Sequence, residues 1–184
     1  MSFLSTVFVL ILVCFLVYIV VVFNQLVKNK NIVKEAWSGI DVQLKQRHEL
    51  VPSLLKVVSG YMKYEKTLLE EITNIRSTIT TTKSKQELEI MENNITNHLR
   101  QIFVSVEDYP DLKANKNFLE LQQELARIED LLQHARRYYN GAVRINNIFI
   151  ESFPSNIIAS LFGFKLATFF QINETEKDVP EIHL

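Results

Sequence analysis

Residues 33–79 read VKEAWSGIDVQLKQRHELVPSLLKVVSGYMKYEKTLLEEITNIRSTI, and the spacing of their apolar side chains decides the fold class. Val33, Trp37, Ile40, Leu44, Val51, Leu54, Val58, Tyr61, Leu68, Ile72, Ile75 and Ile79 recur at alternating steps of four and three. Arg47 and Glu65 hold two places in the same series. This is the a/d seam of a packed, coiled-coil-like helix, sustained over more than six heptads. At 1.5 Å per residue it predicts a helix about 70 Å long. Ala36, Leu50, Leu55 and Val57 flank the seam and widen it, as a bundle requires. Pro52 lies inside. It removes one backbone donor, and its ring clashes with the carbonyl of His48. The expectation is a kink or short break near residues 48–52 without a chain reversal, because the seam keeps its phase across the proline.

Downstream, Thr80, Thr81 and Thr82 are expected to end this helix, and Ser84 with Glu87 has the spacing of a capping box for the next. Leu88, Met91, Ile95, His98 and Ile102 carry a shorter seam, with Leu99, Phe103 and Val106 beside it. EDYPDLKANKN, residues 107–117, reads as a loop around Pro110. A long helix follows on Phe118, Leu121, Leu125, Ile128, Leu132, Ala135, Tyr139, Ala142, Asn146 and Phe149. Asn146 is its polar interruption, and Pro154 stops it. Ser155 or Asn156 is expected to cap a short apolar element over residues 157–170.

Upstream, residues 3–23 read FLSTVFVLILVCFLVYIVVVF, without a charge, Gly or Pro. As a helix they span about 30 Å, the thickness of bilayer hydrocarbon. A cleaved signal peptide wants a basic start, a shorter apolar run and a small-x-small site, and this run offers none of them. An uncleaved anchor is expected, with Cys14 an apolar-like thiol within it. Lys28, Lys30 and Lys34 follow the run, so the positive-inside rule places the N-terminus outside and the rest in the cytoplasm.

The predicted organisation is all-α: a transmembrane anchor over 1–27, then an antiparallel bundle of three or four long helical segments over 28–170. Residues 171–184 form a mostly acidic tail expected to be disordered. The chain's 184 residues contain only 4 Gly and 4 Pro, against a many-stranded β fold. A net charge of -1 gives no basic excess for nucleic acid. One cysteine excludes an internal disulfide and a cysteine-rich zinc site.

No phosphate loop, nucleophile elbow, HExxH or Cys-x-x-Cys is present, and the four histidines form no i, i+3 or i+4 pair. No metal, cofactor or catalytic residue is therefore expected. Arg47, Glu65 and Asn146 lie on the buried seams, and with Arg136 they are candidates for an internal polar network. Such residues either pair internally and fix register or line a polar pocket. Arg136 and Arg137 also admit two readings, a solvated face or a clamp for Asp111 or Glu107. The stretch LFGFKLATFF is read as core or as a docking face for a partner. Its one lysine, Lys165, is too little for a membrane-surface helix.

Four segments in this order resemble the LemA family of bacterial membrane proteins: EAWSGIDVQLKQRHELVPSLL (35–55), GYMKYE (60–65), EDYPDLKANKNFLELQQEL (107–125) and ARRYYNGAVRINNIFIESFPSNIIA (135–159). The motif positions are Trp37, Pro52, Tyr61, Tyr109, Pro110, Asn115, Phe118, Tyr139, Asn140 and Pro154. His48 departs from the pattern, where Arg, Asn or Asp is expected. The resemblance implies a single-pass protein of the bacterial inner membrane with a cytoplasmic helical bundle and no known enzymatic activity. Relatives tied to membrane remodelling in magnetosome-forming bacteria make membrane organisation the process to consider. The function expected is a non-catalytic scaffold or adaptor that meets the bilayer through residues 3–23 and associates with itself or with other membrane proteins. The alternative is a ligand- or ion-responsive sensor or enzyme using a polar pocket in the bundle.

Overall fold

The computed structural model describes residues 3–62, 66–79 and 85–170. It is all-α, with no strand among the described residues. Helix α1 runs Phe3–Ser59, α2 Lys66–Ile79, α3 Lys85–Ser105, α4 Pro110–Lys113, α5 Lys116–Glu151 and α6 Ser155–Leu161, with a 3-10 turn at Val106–Asp108. The chain divides into two compact units. The first is Met1–Ile40 with His134–Phe169, and the second is Asp41–Gln133 with Phe170–Leu184. The tail residues 171–184, Thr80 to Ser84, and Glu65 lie outside the described residues.

In the second unit one core is built from every element. Val51, Leu54, Val58 and Met62 come from the end of α1, Ile72 from α2, and Ile95, Leu99 and Ile102 from α3. Val106, Leu112, Phe118 and Leu125 close it. Helix α1 meets α5 at Arg47–Glu129, and just past the end of α1 and before the start of α5 Tyr61 meets Asn115, so these helices are antiparallel here. Helices α2 and α3 form an antiparallel hairpin, with His98 Nε2 of α3 3.1 Å from Glu71 of α2.

Three expectations are corrected in this unit. Of the kink or short break expected at Pro52, the break does not occur: helix α1 continues through it and ends at Ser59. An interior proline costs about 3 kcal/mol. Val51, Leu54 and Val58 are fully buried around it, at roughly 1.5–3 kcal/mol each, and outweigh that cost. The end is tightened by Gly60 and Tyr61, whose N–H groups donate to the carbonyls of Val57 and Val58. Tightening shifts the phase by one residue, so Met62 enters the core and Tyr61 is exposed. Second, the seam of α3 is Glu92, Ile95, Leu99 and Ile102, continued by Val106 of the 3-10 turn, while His98 lies at its edge, bonded to the carbonyl of Asn94 and to Glu71. Third, residues 107–117 are not plain loop. Pro110 starts the single turn α4, where a missing N–H costs nothing. Asn115 then accepts the Phe118 N–H at 3.1 Å as the cap of α5.

In the first unit, α1 is exposed along its apolar start. Phe3, Phe8, Ile11, Phe15 and Val20 are all open, and Cys14 is exposed rather than covered by protein. A helix that is apolar on every side and unpacked against protein is compatible with membrane anchoring. Burial begins at Ile19 and Val22. With Leu26 they pack against Phe149, Ile150, Ile158, Ala159 and Phe164. Trp37 meets Tyr139 edge-to-face at 5.3 Å, so α1 and α5 are antiparallel in this unit too.

The apolar element expected over 157–170 is shorter and starts earlier. Gly163, at φ +69°, closes α6. Its N–H donates to Ser160, and that of Phe164 to Ala159 at 2.9 Å, which is a Schellman closure. Ser155 does not cap α6. Its hydroxyl lies 2.6 Å from the Phe149 carbonyl, which the end of α5 leaves open, and 2.9 Å from that of Ser152, which also accepts the Asn156 N–H.

Candidate functional site

The most concentrated polar chemistry is a buried ion cluster centred on Arg47. This side chain is 1% exposed, on the inward seam of α1 between Leu44 and Val51. Its Nη2 meets the Glu92 carboxylate and donates to the Glu92 carbonyl at 3.1 Å. Its Nη1 donates to Glu129 Oε1 at 2.5 Å and to Thr96 Oγ1 at 2.8 Å. Thr96 in turn lies 3.2 Å from Glu129 and 3.1 Å from the Glu92 carbonyl, within reach of its own proton. One guanidinium thus joins α1, α3 and α5.

Glu92 is fully buried, and His48 Nε2 sits 2.6 Å from its Oε1. Burial pushes the Glu92 pKa up. The close approach of His48 and the charge of Arg47 outweigh that and hold it below the usual carboxylate value. With His48 protonated, the four ionisable groups balance. With His48 neutral, the cluster carries one net negative charge. Glu129 is 30% exposed and forms the solvent edge of the cluster. A groove of about 150 Å³ opens there, lined by Arg47, Thr96, Phe103 and Glu129 among others.

Of the four candidates for an internal polar network, Glu65 lies outside the described residues, and among the other three Arg47 alone belongs to this cluster, beside its neighbour His48. Asn146 and Arg136 belong to the first unit. Asn146 is buried and donates to Asn147 Oδ1 at 3.1 Å, and Arg136 is half-buried on α5. Arg137 contacts His134, and Glu107 pairs with Lys113. Among the motif positions, Tyr61 accepts from Asn115 at 3.1 Å, and Phe118 is buried 6.3 Å from Phe103. Tyr109 packs against the second core, Asn140 is half-buried on α5, and Pro154 precedes α6. Tyr139 donates its hydroxyl to the Thr168 carbonyl at 2.9 Å.

Sequence reading missed four polar residues. Glu92 had a signal, since it continues the 3-4 series of Ile95, Leu99 and Ile102 backwards. Thr96 and Glu129 flank seams and carry none. Asn147 was overlooked beside Asn146. It accepts the Ala167 N–H at 2.9 Å and donates to the Ala167 carbonyl at 2.8 Å, pairing with that residue as a neighbouring strand would. Among the described residues no group of His, Cys, Asp and Glu is arranged to hold a metal ion.

The chain matches the LemA family model over residues 36–184. It is 29% identical to a Protein LemA of Metamycoplasma hominis over 158 residues, which is 84% of this chain and 71% of that protein. Magnetosome proteins MamQ 1 and MamQ 2 of Paramagnetospirillum magneticum are each 33% identical over 75 residues. Those matches cover 41% of this chain and 28% of the magnetosome proteins.

Proposed function

The chain belongs to the LemA family, and on that premise we propose that it is a membrane-anchored, non-catalytic scaffold or adaptor of a bacterial inner membrane. The observation that carries this reading is the continuity of α1. One helix begins as an exposed, uncharged run and ends in the core of a packed bundle. A helix built this way couples a bilayer to a surface for partners. The N-terminus lies outside and the bundle in the cytoplasm, because Lys28, Lys30 and Lys34 follow the run directly. Membrane organisation is the process in view, supported by the likeness to two proteins named for the magnetosome.

The ion cluster fits a structural role better than a ligand site. Both terminal nitrogens of Arg47 are taken by protein acceptors. The adjoining groove, about 150 Å³, falls below the roughly 300 Å³ at which small-molecule pockets begin. In-cell crosslinking followed by solubilisation tests the scaffold role. The expected result is a homo-oligomer or a defined set of membrane proteins. A strictly monomeric profile without crosslinked partners would remove this reading. A cytoplasm-dependent reporter fused after Leu184 should be active, and a periplasm-dependent one inactive.

A further inference from the structure

The corner between α5 and α6 carries a second uncharged stretch. Residues 152–164 read SFPSNIIASLFGF, without Lys, Arg, Asp or Glu, between Glu151 and Lys165. One side of it is core, where Ile158 and Ala159 are buried with Val22 and Leu26. The other side is bare. Phe153 is 81% exposed, Ile157 60% and Leu161 76%. Ile157 and Leu161 are four residues apart on α6 and share a face. Single exposed apolar residues need no explanation, but a cluster of large ones marks a surface that something covers.

The position of this corner along α1 identifies the cover. Phe153 and Pro154 line one groove with Tyr18, Val21 and Val22. Those three residues lie inside the uncharged run, and Tyr18 is about 7 Å short of its end at Phe23. The chain then returns beside the end of the run. Phe162 and Phe164 meet the Phe23 ring at 4.9 and 5.8 Å, and the Lys30 ammonium stands 5.7 Å over the Phe164 ring. The stretch therefore covers the levels of α1 from the last turns of the run to the first lysines after it. In a bilayer that is where hydrocarbon gives way to headgroups.

We propose that Phe153, Ile157 and Leu161 insert into the bilayer that α1 crosses, making the α5–α6 corner a second, shallow membrane attachment. This attachment presupposes that α1 is an anchor. The backbone suits that environment, because open carbonyls are costly near lipid. The Ser155 hydroxyl satisfies that of Phe149, the Asn156 N–H that of Ser152, and the Schellman closure those of Ala159 and Ser160. Lys165, at the rim, can keep its ammonium in water while its stem lies along apolar surface. A free helix with one lysine binds membranes poorly. This one is held at the surface by its own chain, so tethering supplies the local concentration that a basic face would otherwise provide.

The test uses the full chain in lipid vesicles. Cys14 is replaced by serine, and single cysteines are placed by Phe153→Cys, Ile157→Cys, Leu161→Cys, Val9→Cys and Lys116→Cys, each carrying an environment-sensitive fluorophore. Nitroxide-bearing lipids and aqueous iodide serve as quenchers. The labels at 153, 157 and 161 should lose emission to nitroxide lipid and resist iodide, as the label at 9 does, while the label at 116 behaves oppositely. If the label at 9 is lipid-quenched and those at 153, 157 and 161 follow the label at 116, the corner is in water and the proposal fails. Shielding of the corner labels from both quenchers would mean that protein covers them, which also overturns it. A label at 9 reached by iodide would overturn the anchor reading, and this proposal with it.

Discussion

The two units solve the same problem, fixing helices against one another, with different chemistry. The second unit buries charge. Arg47, Glu92 and Glu129 hold three helices through ion pairs, one of them fully enclosed. The first unit fixes its last segment with neutral groups: the Tyr139 hydroxyl on Thr168, the Asn147 amide on Ala167, and the Ser155 hydroxyl on the end of α5. A charge pair is directional and expensive to desolvate, so it specifies register and penalises any arrangement that leaves one member alone. A neutral amide or hydroxyl asks less of its surroundings, which suits a unit whose α1 residues include the uncharged run. The second unit should therefore respond more strongly to pH and to charge removal than the first.

Hydrogen exchange read peptide by peptide in the detergent-solubilised protein separates the two. The largest effect expected is from Arg47→Ala. Removing one partner of a buried pair costs about 3–5 kcal/mol. Protection should collapse over α3 and residues 116–133 of α5 while the Trp37–Tyr139 contact persists. Arg47→Met should be milder, since the apolar stem is kept. Equal, small effects of both would mean that the cluster does not fix the unit.

Acid should act on the same side of the comparison. The Glu92 pKa is lowered in the folded protein, so the folded state favours its ionised form. The unfolded chain then binds more protons, and stability rises with pH through this range. That contribution is fully present above the ordinary glutamate value of about 4.3 and is lost as pH falls through the lower, folded value. Exchange from α3, corrected for its intrinsic pH dependence, should accelerate on acidification below about 4.3. Glu92→Gln should flatten the response. A first-unit profile that shifts equally would erase the contrast.

Asn147→Ala tests the neutral side. It leaves the Ala167 N–H and carbonyl without their partner, at about 1–3 kcal/mol. Trypsin should then cut after Lys165 faster, with α3 unchanged. The smallest effect is expected from Tyr61→Phe. It removes one exposed hydrogen bond from Asn115, and the unfolding midpoint should move by no more than about 1 kcal/mol equivalent.

Much of the fold is legible in the chain. The 3-4 spacing from Val33 to Val58 and from Phe118 to Phe149 marks helices, because only a helical period puts those side chains on one face. The stop at Pro154 and the uncharged run over 3–23 are equally local. Arg47 stands out because it interrupts an apolar series. Its acceptors do not. Glu129 follows Ile128 like any surface glutamate, and nothing local distinguishes it from Glu124, which pairs with Arg127 on an exposed face.

Short-range periodicity and composition suffice for the all-α elements, their approximate lengths, the anchor-like run and the family. Long-range packing settled each border case. Pro52 was absorbed and Gly60 became the break, because burial of Val51, Leu54 and Val58 outweighs one lost backbone bond. His98 was turned to the edge and Glu92 to the centre, because the guanidinium of Arg47 can satisfy a buried carboxylate there. Such choices depend on groups 45 and 82 positions apart meeting in space, and no local spacing encodes that meeting.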